Sequence, residues 1–225
     1  RGYGLVDSRR VAVRPGADLT LTVTLASTPQ EAARIYPANY WYSLLEVPPE
    51  SEFPGTGDQG NGIAESMRSQ AQWIDMTKQG CQLCHQLGNQ VTREVTHLSH
   101  LNFASTYEAW DHRVQVGVRG GFMTGFANRF GRQRGLEMYA DWTDRIAAGE
   151  VPEAPERPSG RERSVVITMW DWGNDTSYVH DEITTDKWNP TVNAGGPVYG
   201  VDGGHGALLE LDPATNSWRS IEIPV

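Results

Sequence analysis

Two kinds of hydrophobic spacing divide this chain into a helical middle and β-like ends. In residues 5–26, apolar side chains alternate with threonines and other polar residues, and an Arg-Pro-Gly turn at 14–18 interrupts the alternation. Alternation with a period of two predicts a pair of β-strands. Similar patterning returns near the other end of the chain, around a turn at 212–216. The C-terminal segments predicted as strands are 164–170, 196–201, 207–211 and 217–223.

The middle of the chain has apolar residues at the spacing of a helix. One stripe consists of Ile63, Met67, Ala71 and Ile74. It predicts a helix that stops at Gly80. A second stripe predicts a helix over 133–148, followed by Gly149 and Pro152. A further helix is predicted over 105–118, and the glycine-rich stretch 119–126 is predicted to be a loop.

Composition excludes several classes of protein. The chain has 225 residues, 38% of them hydrophobic and 9% aromatic, which is enough for a core and argues against disorder or a collagen-like repeat. The formal net charge of -9 argues against a dedicated nucleic-acid binder. No apolar run is long enough to span a bilayer. Since the sequence starts at Arg1, we expect a removed leader or a piece of a longer polypeptide.

The cysteines carry the clearest chemical information. The chain has two, in the sequence Cys81-Gln-Leu-Cys84-His85. Such a pair serves in a zinc site, in a thiol redox pair or in covalent attachment of c-type haem. Zinc needs further ligands, and no second cysteine pair supplies them. A redox pair gives no reason for the adjacent histidine. Haem attachment accounts for all three residues, because one helical turn presents both thiols and places the imidazole toward the iron.

On this motif and its flanking helices, residues 61–150 resemble c-type cytochromes. The resemblance implies one covalent haem c with its iron, and Cys81, Cys84 and His85 as its attachment residues. It also implies that the first and last helices cross, with Trp73 and Trp142 as candidates for the contact. The family places its second axial ligand in the loop before the last helix, where this chain has Met123. A thioether there raises the reduction potential.

Other ligands and haem contacts stay open from the sequence. The alternatives for the second axial position are His97, His100, His112 and Met138. A histidine would give a lower potential, and five-coordinate iron would change the function. The candidate residues around the haem are Trp110, Arg119 and Arg129. A cluster of six arginines has three open roles: it could bind the haem propionates, form a basic face or dock a redox partner. Its members are Arg113, Arg119, Arg129, Arg132, Arg134 and Arg145.

The two flanks resemble parts of other modules. Residues 1–28 resemble the closing hairpin of a carboxypeptidase-regulatory-like β-sandwich, and 164–225 resemble one blade hairpin of a streptogramin-lyase-like β-propeller. The predicted fold class is therefore multi-module α+β, with a mainly helical cytochrome c-like domain between β-rich flanks. The predicted boundaries are 1–28 for the sandwich strands, 29–60 for a linker, 61–150 for the haem domain, 151–163 for a second linker and 164–225 for the propeller-like segment.

Together these features predict an exported electron carrier, periplasmic or extracellular, because covalent haem attachment in this family takes place outside the cytoplasm. Its expected partner is a redox protein or a neighbouring haem subunit, and a homo- or hetero-oligomer is one of the arrangements that this allows; no nucleic acid or transmembrane segment is expected. Two other functions stay open: a haem-containing redox enzyme with a propeller active site, and a non-enzymatic haem sensor or surface assembly protein.

A minor hypothesis is a cation site formed by His180, Asp181, Glu182 and Asp186 near Asp171 and Asp175.

Overall fold

The computed structural model describes residues 4–6, 14, 16, 18, 20, 22–156, 159–164, 172–173, 177, 179–203 and 205–223. Within these ranges the middle of the chain is helical and the C-terminal part forms a β-sheet. The predicted α+β character is therefore confirmed. No described helix is both long and apolar enough to cross a membrane.

The α-helices of the described residues are α1 (Pro29–Ala33), α2 (Ala38–Tyr42), α3 (Gln70–Thr77), α4 (Gln90–Arg93), α5 (Thr106–Arg113), α6 (Gly120–Phe130) and α7 (Arg132–Ala147). Short 3-10 helices lie at Glu50–Glu52, Thr96–Leu101 and Gly160–Ser164, and a π-helical turn covers Lys78–Gln82. The strands are β1 (Val179–Ile183), β2 (Val198–Asp202), β3 (Ala207–Asp212) and β4 (Ser217–Glu222).

Helix α7 confirms the helix predicted over 133–148 and forms a large part of the core. Its apolar stripe packs against α5 and α6. The buried side chains that it contributes are Leu136, Met138, Tyr139, Ala140, Trp142 and Thr143. This helix forms where it was predicted because its pattern agrees with the face that the fold buries.

Trp73 and Trp142 are both fully buried in one hydrophobic core. The Trp73 ring lies 5.0 Å from that of Phe130 and 6.1 Å from that of Phe53, measured between centroids. The Trp142 ring lies 6.4 Å from that of Tyr139. Helix α3 packs on α6, while α7 packs on α5 and α6. The two tryptophans thus belong to one shared core, in which α6 contacts both α3 and α7.

Helix α3 begins later than the apolar spacing predicts. The side chain of Ser69 accepts a hydrogen bond from the Gln72 amide and caps the helix, which starts at Gln70. Ile63 and Met67 are buried as expected but precede the helix. Their carbonyls accept backbone hydrogen bonds from a neighbouring loop, so their spacing matches a helix without belonging to one.

The prediction of a loop over 119–126 is wrong, because α6 covers most of it. Glycine disfavours a helix by about 1 kcal/mol relative to alanine, which is why the sequence indicated a break. Tertiary packing overrides this cost. Ala127 and Phe130 are buried, and the Phe126 ring sits so close to Gly80 that a β-carbon there would lie 2.3 Å from it. The chain breaks instead at Gly131, whose φ of +98° ends α6.

The segment between residues 29 and 60 contains ordered structure that packs on α7. Thr28 caps α1, and Trp41 of α2 is buried together with Tyr36. The indole Nε1 of Trp142 donates a 3.0 Å hydrogen bond to the carbonyl of Trp41. The Arg145 guanidinium donates a 2.6 Å hydrogen bond to the carbonyl of Leu44. These bonds join this segment to the helical core.

The four strands form an antiparallel sheet in the order β1-β2-β3-β4. Strands β2, β3 and β4 lie where the alternation predicted them, and residues 213–216 form the turn between β3 and β4. Strand β1 was not predicted. The strand predicted over 164–170 lies outside the described residues except for Ser164, which ends a 3-10 helix. Of the N-terminal strand pair, the described residues show one antiparallel bridge between Leu5 and Leu25.

Candidate cofactor site

The cysteine motif lies on a helical turn that continues α3. The amides of Cys84 and His85 both donate to the carbonyl of Cys81, at 3.3 Å and 3.0 Å. Gly80, directly before the motif, is buried against the Phe126 ring, where a larger residue would collide with it. Cys81, Cys84 and His85 thus lie together on a single helical turn.

A cavity of about 700 Å³ opens beside this turn. That volume is within the range of about 300–1,000 Å³ that small-molecule sites occupy. Cys81, Cys84 and His85 all line it. The other walls come from α4, α5, α6, α7, the 3-10 helix at Thr96–Leu101 and the connection between β2 and β3. The main apolar lining residues are Leu87, Val91, Trp110, Val114, Phe122 and Phe130.

Large hydrophobic side chains stand exposed around the same cavity. The exposed fractions are 70% for Leu83, 42% for Val116, 89% for Val118 and 47% for Phe122, and all four residues line the cavity. Exposed apolar side chains are common when scattered, but a contiguous group around a concave site indicates a ligand or a partner. These four positions place exposed apolar surface at the cavity.

The structure brings most of the predicted site residues to this cavity. In addition to the three motif residues, the predicted residues that line it are Met123, Trp110, Arg119 and His97. Met123 lies in the first part of α6, on a helix rather than in the predicted loop. The Trp110 ring stacks on Tyr139 at 4.9 Å between centroids, and its Nε1 donates to the Thr143 hydroxyl at 2.9 Å. Trp110 therefore forms a fixed wall.

Four other predicted residues do not line the cavity. Met138 is buried in the hydrophobic core. The His100 side chain is exposed, with Nδ1 3.1 Å from the carbonyl of His97. The His112 ring lies 5.1 Å from that of Phe103. Arg129 stacks over Phe126 rather than reaching the cavity.

Five of the six predicted arginines fall into two groups in the structure, and the sixth is Arg129, which stacks over Phe126. Three members form ion pairs on the helix surfaces: Arg132 with Asp111, Arg134 with Glu52, and Arg145 with Asp141 and Glu150. Arg113 and Arg119 line the cavity. Arg113 also donates to backbone carbonyls of α4 and lies over the Trp110 ring. Positive charge at the cavity therefore comes from two arginines, which suit the carboxylates of a ligand.

Burial is the main cause that raises the pKa of the Cys81 thiol above its ordinary value. The nearby Tyr139 hydroxyl opposes this shift, and Cys84 adds to it. Burial also raises the pKa of Tyr139 well above its ordinary value, so its hydroxyl stays protonated beside the thiol. Reactive redox cysteines have a lowered pKa. Burial instead favours the neutral thiol of Cys81 over its thiolate.

This environment leads to a test on the haem-free chain with Cys84→Ser. Cys81 is expected to react slowly with iodoacetamide at neutral pH and to accelerate only at more alkaline pH than an ordinary thiol, because the thiolate is the attacking form. The rate of alkylation, followed by mass spectrometry across pH, measures the shift. The same chain unfolded in urea is the control. Identical pH profiles for the folded and unfolded chains would show that the folded site does not shift this thiol.

A zinc site finds no support among the described residues. They contain no group of three or more histidine, cysteine, aspartate or glutamate side chains that could hold a metal ion. A cation site was also predicted at residues 180–186. The side chains of His180 and Asp181 lie outside the described part of the structure. Asp186 accepts hydrogen bonds from the amides of Trp188 and Asn189 and so stabilises a turn.

No family model, curated protein or solved structure matches this chain. The site therefore has to be interpreted from its own residues. Sequence reasoning had not assigned Tyr139 or His205 to it, although both line the cavity. Tyr139 lies in the helix predicted over 133–148, and its place in the apolar stripe of that helix gave no reason to assign it to a site. His205 is far from the motif in sequence, and only the fold brings it to the cavity.

Proposed function

We propose that this chain is a c-type cytochrome that carries one covalently attached haem and transfers electrons. The observation that carries the proposal is the cavity beside the cysteine turn. Its walls contain both thiols, the adjacent imidazole and an apolar surface that is exposed to solvent. No other interpretation of the motif makes use of all these features together.

The residues of the cavity fit haem in their chemistry. Two cysteines are available for thioether bonds, and His85 offers an imidazole as an axial ligand. Leu83, Val116, Val118 and Phe122 supply the apolar contact that a porphyrin needs. Arg119 and Arg113 supply cationic donors for the two propionates. When bound, haem supplies a one-electron iron couple, and the protein sets its potential through ligation, burial and hydrogen bonds.

Electron transfer is favoured over ligand sensing by the donors on the cavity wall. Met123 and His97, both predicted as possible second axial ligands, line the cavity together with His85. If haem is bound, a second protein ligand would complete the coordination of its iron and leave no position for an external ligand. The stack of Trp110 on Tyr139 forms one wall of the cavity. Such a site exchanges electrons with a partner protein without bond chemistry.

The proposed covalent attachment of haem also leads to proposals for the location and the partners of the protein. The resemblance to c-type cytochromes implies attachment outside the cytoplasm, so we propose that the protein functions in the periplasm or outside the cell. The exposed apolar side chains around the cavity mark the side from which a redox partner would approach. The four-stranded antiparallel sheet has the strand order of a propeller blade, and within this proposal it forms part of a larger β-rich assembly.

The experiment that tests this function uses the whole chain, exported to a bacterial periplasm together with haem-attachment machinery. We expect a reduced-minus-oxidised spectrum with a sharp α band that carbon monoxide does not change. Carbon monoxide binding by the native protein would instead support a haem sensor or enzyme. A chain that is purified folded but without haem absorbance would overturn the proposal altogether.

A further inference from the structure

A histidine from the β-sheet reaches the cavity of the helical part. Gly203 and His205, in the connection between β2 and β3, line the same cavity as Cys81, Cys84 and His85. Both residues belong to the segment that the sequence assigned to a separate propeller-like module. The cavity is thus closed partly by the sheet, and a nitrogen donor enters it from outside the cytochrome-like region.

The His205 ring is oriented by a buried carboxylate. Its Nδ1 lies 2.8 Å from Oδ2 of Asp202, the last residue of β2, whose side chain is only 2% exposed. Asp202 is held by pairing with Val179 of β1 and Ala207 of β3. Because a carboxylate accepts hydrogen bonds, the proton of the neutral imidazole lies on Nδ1 and the lone pair lies on Nε2. Metal-binding histidines are typically fixed by this kind of carboxylate contact.

We propose that His205 is the second axial ligand of the haem iron and that Asp202 is its positioning residue. This inference rests on the proposed function. It assigns to His205 the position that the sequence assigned to Met123. In the tautomer that this contact favours, Nε2 carries the lone pair that would bind the iron, and the Nδ1 proton stays on the hydrogen bond to Asp202.

Two consequences follow for the protein. Ligation by two imidazoles gives a lower reduction potential than histidine–methionine ligation, and the carboxylate on Nδ1 makes the imidazole more basic and lowers the potential further. The second consequence concerns the architecture. The helical part and the sheet form one redox unit, because the iron ligands come from both.

The test compares substitutions in the exported, haem-loaded full chain. The native ferric protein is expected to show the near-infrared charge-transfer band and electron paramagnetic resonance spectrum of two imidazole ligands. His205→Ala is expected to retain the covalent haem but to become high-spin and to bind carbon monoxide. His205→Met is expected to restore six-coordinate iron with the near-infrared band of a thioether ligand. Met123→Ala should keep the iron six-coordinate and closed to carbon monoxide, because the second ligand comes from His205.

His100→Ala is the matched control, because this exposed histidine does not line the cavity. Asp202→Asn tests the positioning role: we expect a higher reduction potential at unchanged haem content. In the haem-free chain with both cysteines replaced by alanine, the ¹⁵N shifts of the His205 ring should report a proton on Nδ1, and Asp202→Asn should remove that preference.

Two results are decisive against the proposal. If Met123→Ala or His97→Ala opens the iron to carbon monoxide while His205→Ala leaves the spectrum native, the ligand is not His205. If no variant and no native sample carries haem, the proposed function itself is wrong, and this inference is overturned with it. The first result leaves the haem function intact, so the two failures are distinguishable.

Discussion

Alanine at both Cys81 and Cys84 is expected to abolish covalent haem attachment while leaving the chain folded. The sequence contains no other cysteine, so no thioether bond can form in this variant. Acid–acetone extraction should remove all haem from the variant and none from the native protein. Single replacement of either cysteine should leave at most one thioether bond, with an α band shifted from that of the native protein.

The fold is expected to survive this change because little packing is lost. The Cys84 side chain is exposed and that of Cys81 is only partly buried. The matched control is Gln82→Ala, an exposed position between the two cysteines, which should retain full haem content. Helical circular dichroism checks the fold of each variant. Haem that remains bound through acid–acetone extraction in the double variant would contradict attachment through these sulfurs.

Replacement of Trp142 by alanine is expected to lower the free energy of unfolding of the helical part by about 3–5 kcal/mol. Trp142 is fully buried in the core between α7 and its neighbours. Its Nε1 also donates to the carbonyl of Trp41, so it joins α7 to α2. Alanine leaves a cavity and removes this hydrogen bond. A loss of this size is a large share of the stability of an ordinary domain.

Two further variants separate the contributions to this loss. Trp142→Phe keeps much of the ring but leaves the Trp41 carbonyl without its indole donor, so a smaller loss of about 1–3 kcal/mol is expected. Trp188→Ala is the matched control, because this tryptophan is 87% exposed, and a change within about 0.5 kcal/mol is expected. Urea unfolding followed by helical circular dichroism measures all three. Equal midpoints for Trp142→Ala and the native chain would show that this contact does not hold the core.

Elements with regular patterns could be predicted from the sequence. Helix α7 and strands β2 and β3 form where the apolar spacing indicated, because each of them buries one face, whereas β4 forms at its predicted place with mostly exposed side chains and is held by its pairing with β3. The motif turn could also be placed, since the spacing of Cys81, Cys84 and His85 fixes it locally. In these cases local preference and tertiary packing favour the same structure.

The predictions failed where distant packing decides the local structure. Helix α6 contains several glycines and was predicted as a loop, yet the fit of Phe126 on Gly80 and the burial of Phe130 stabilise it. The stripe through Ile63 and Met67 has helical spacing but ends up in a loop before the Ser69 cap. Neither outcome can be derived from intrinsic propensity, because both depend on residues far away in sequence.

The candidate site shows the same division. The residues proposed to attach the haem form a local pattern, and they could be named from the sequence. His205 could not, because its relevance arises only when the β2–β3 connection packs over the cavity. The sequence signal at this place is Asp202, three positions before His205, with glycines on both sides of the histidine. That pattern is too common to indicate a ligand without the cavity beside it.

The most direct test of the central claim is the intact mass of the purified, exported chain under denaturing conditions, combined with its absorption spectrum. Non-covalent ligands dissociate in such a measurement, while a thioether-bound haem stays on the polypeptide. The account predicts a coloured chain whose mass exceeds that of the sequence by one haem, with the added mass on the peptide containing Cys81 and Cys84. A colourless, folded chain with the mass of the bare sequence would contradict it.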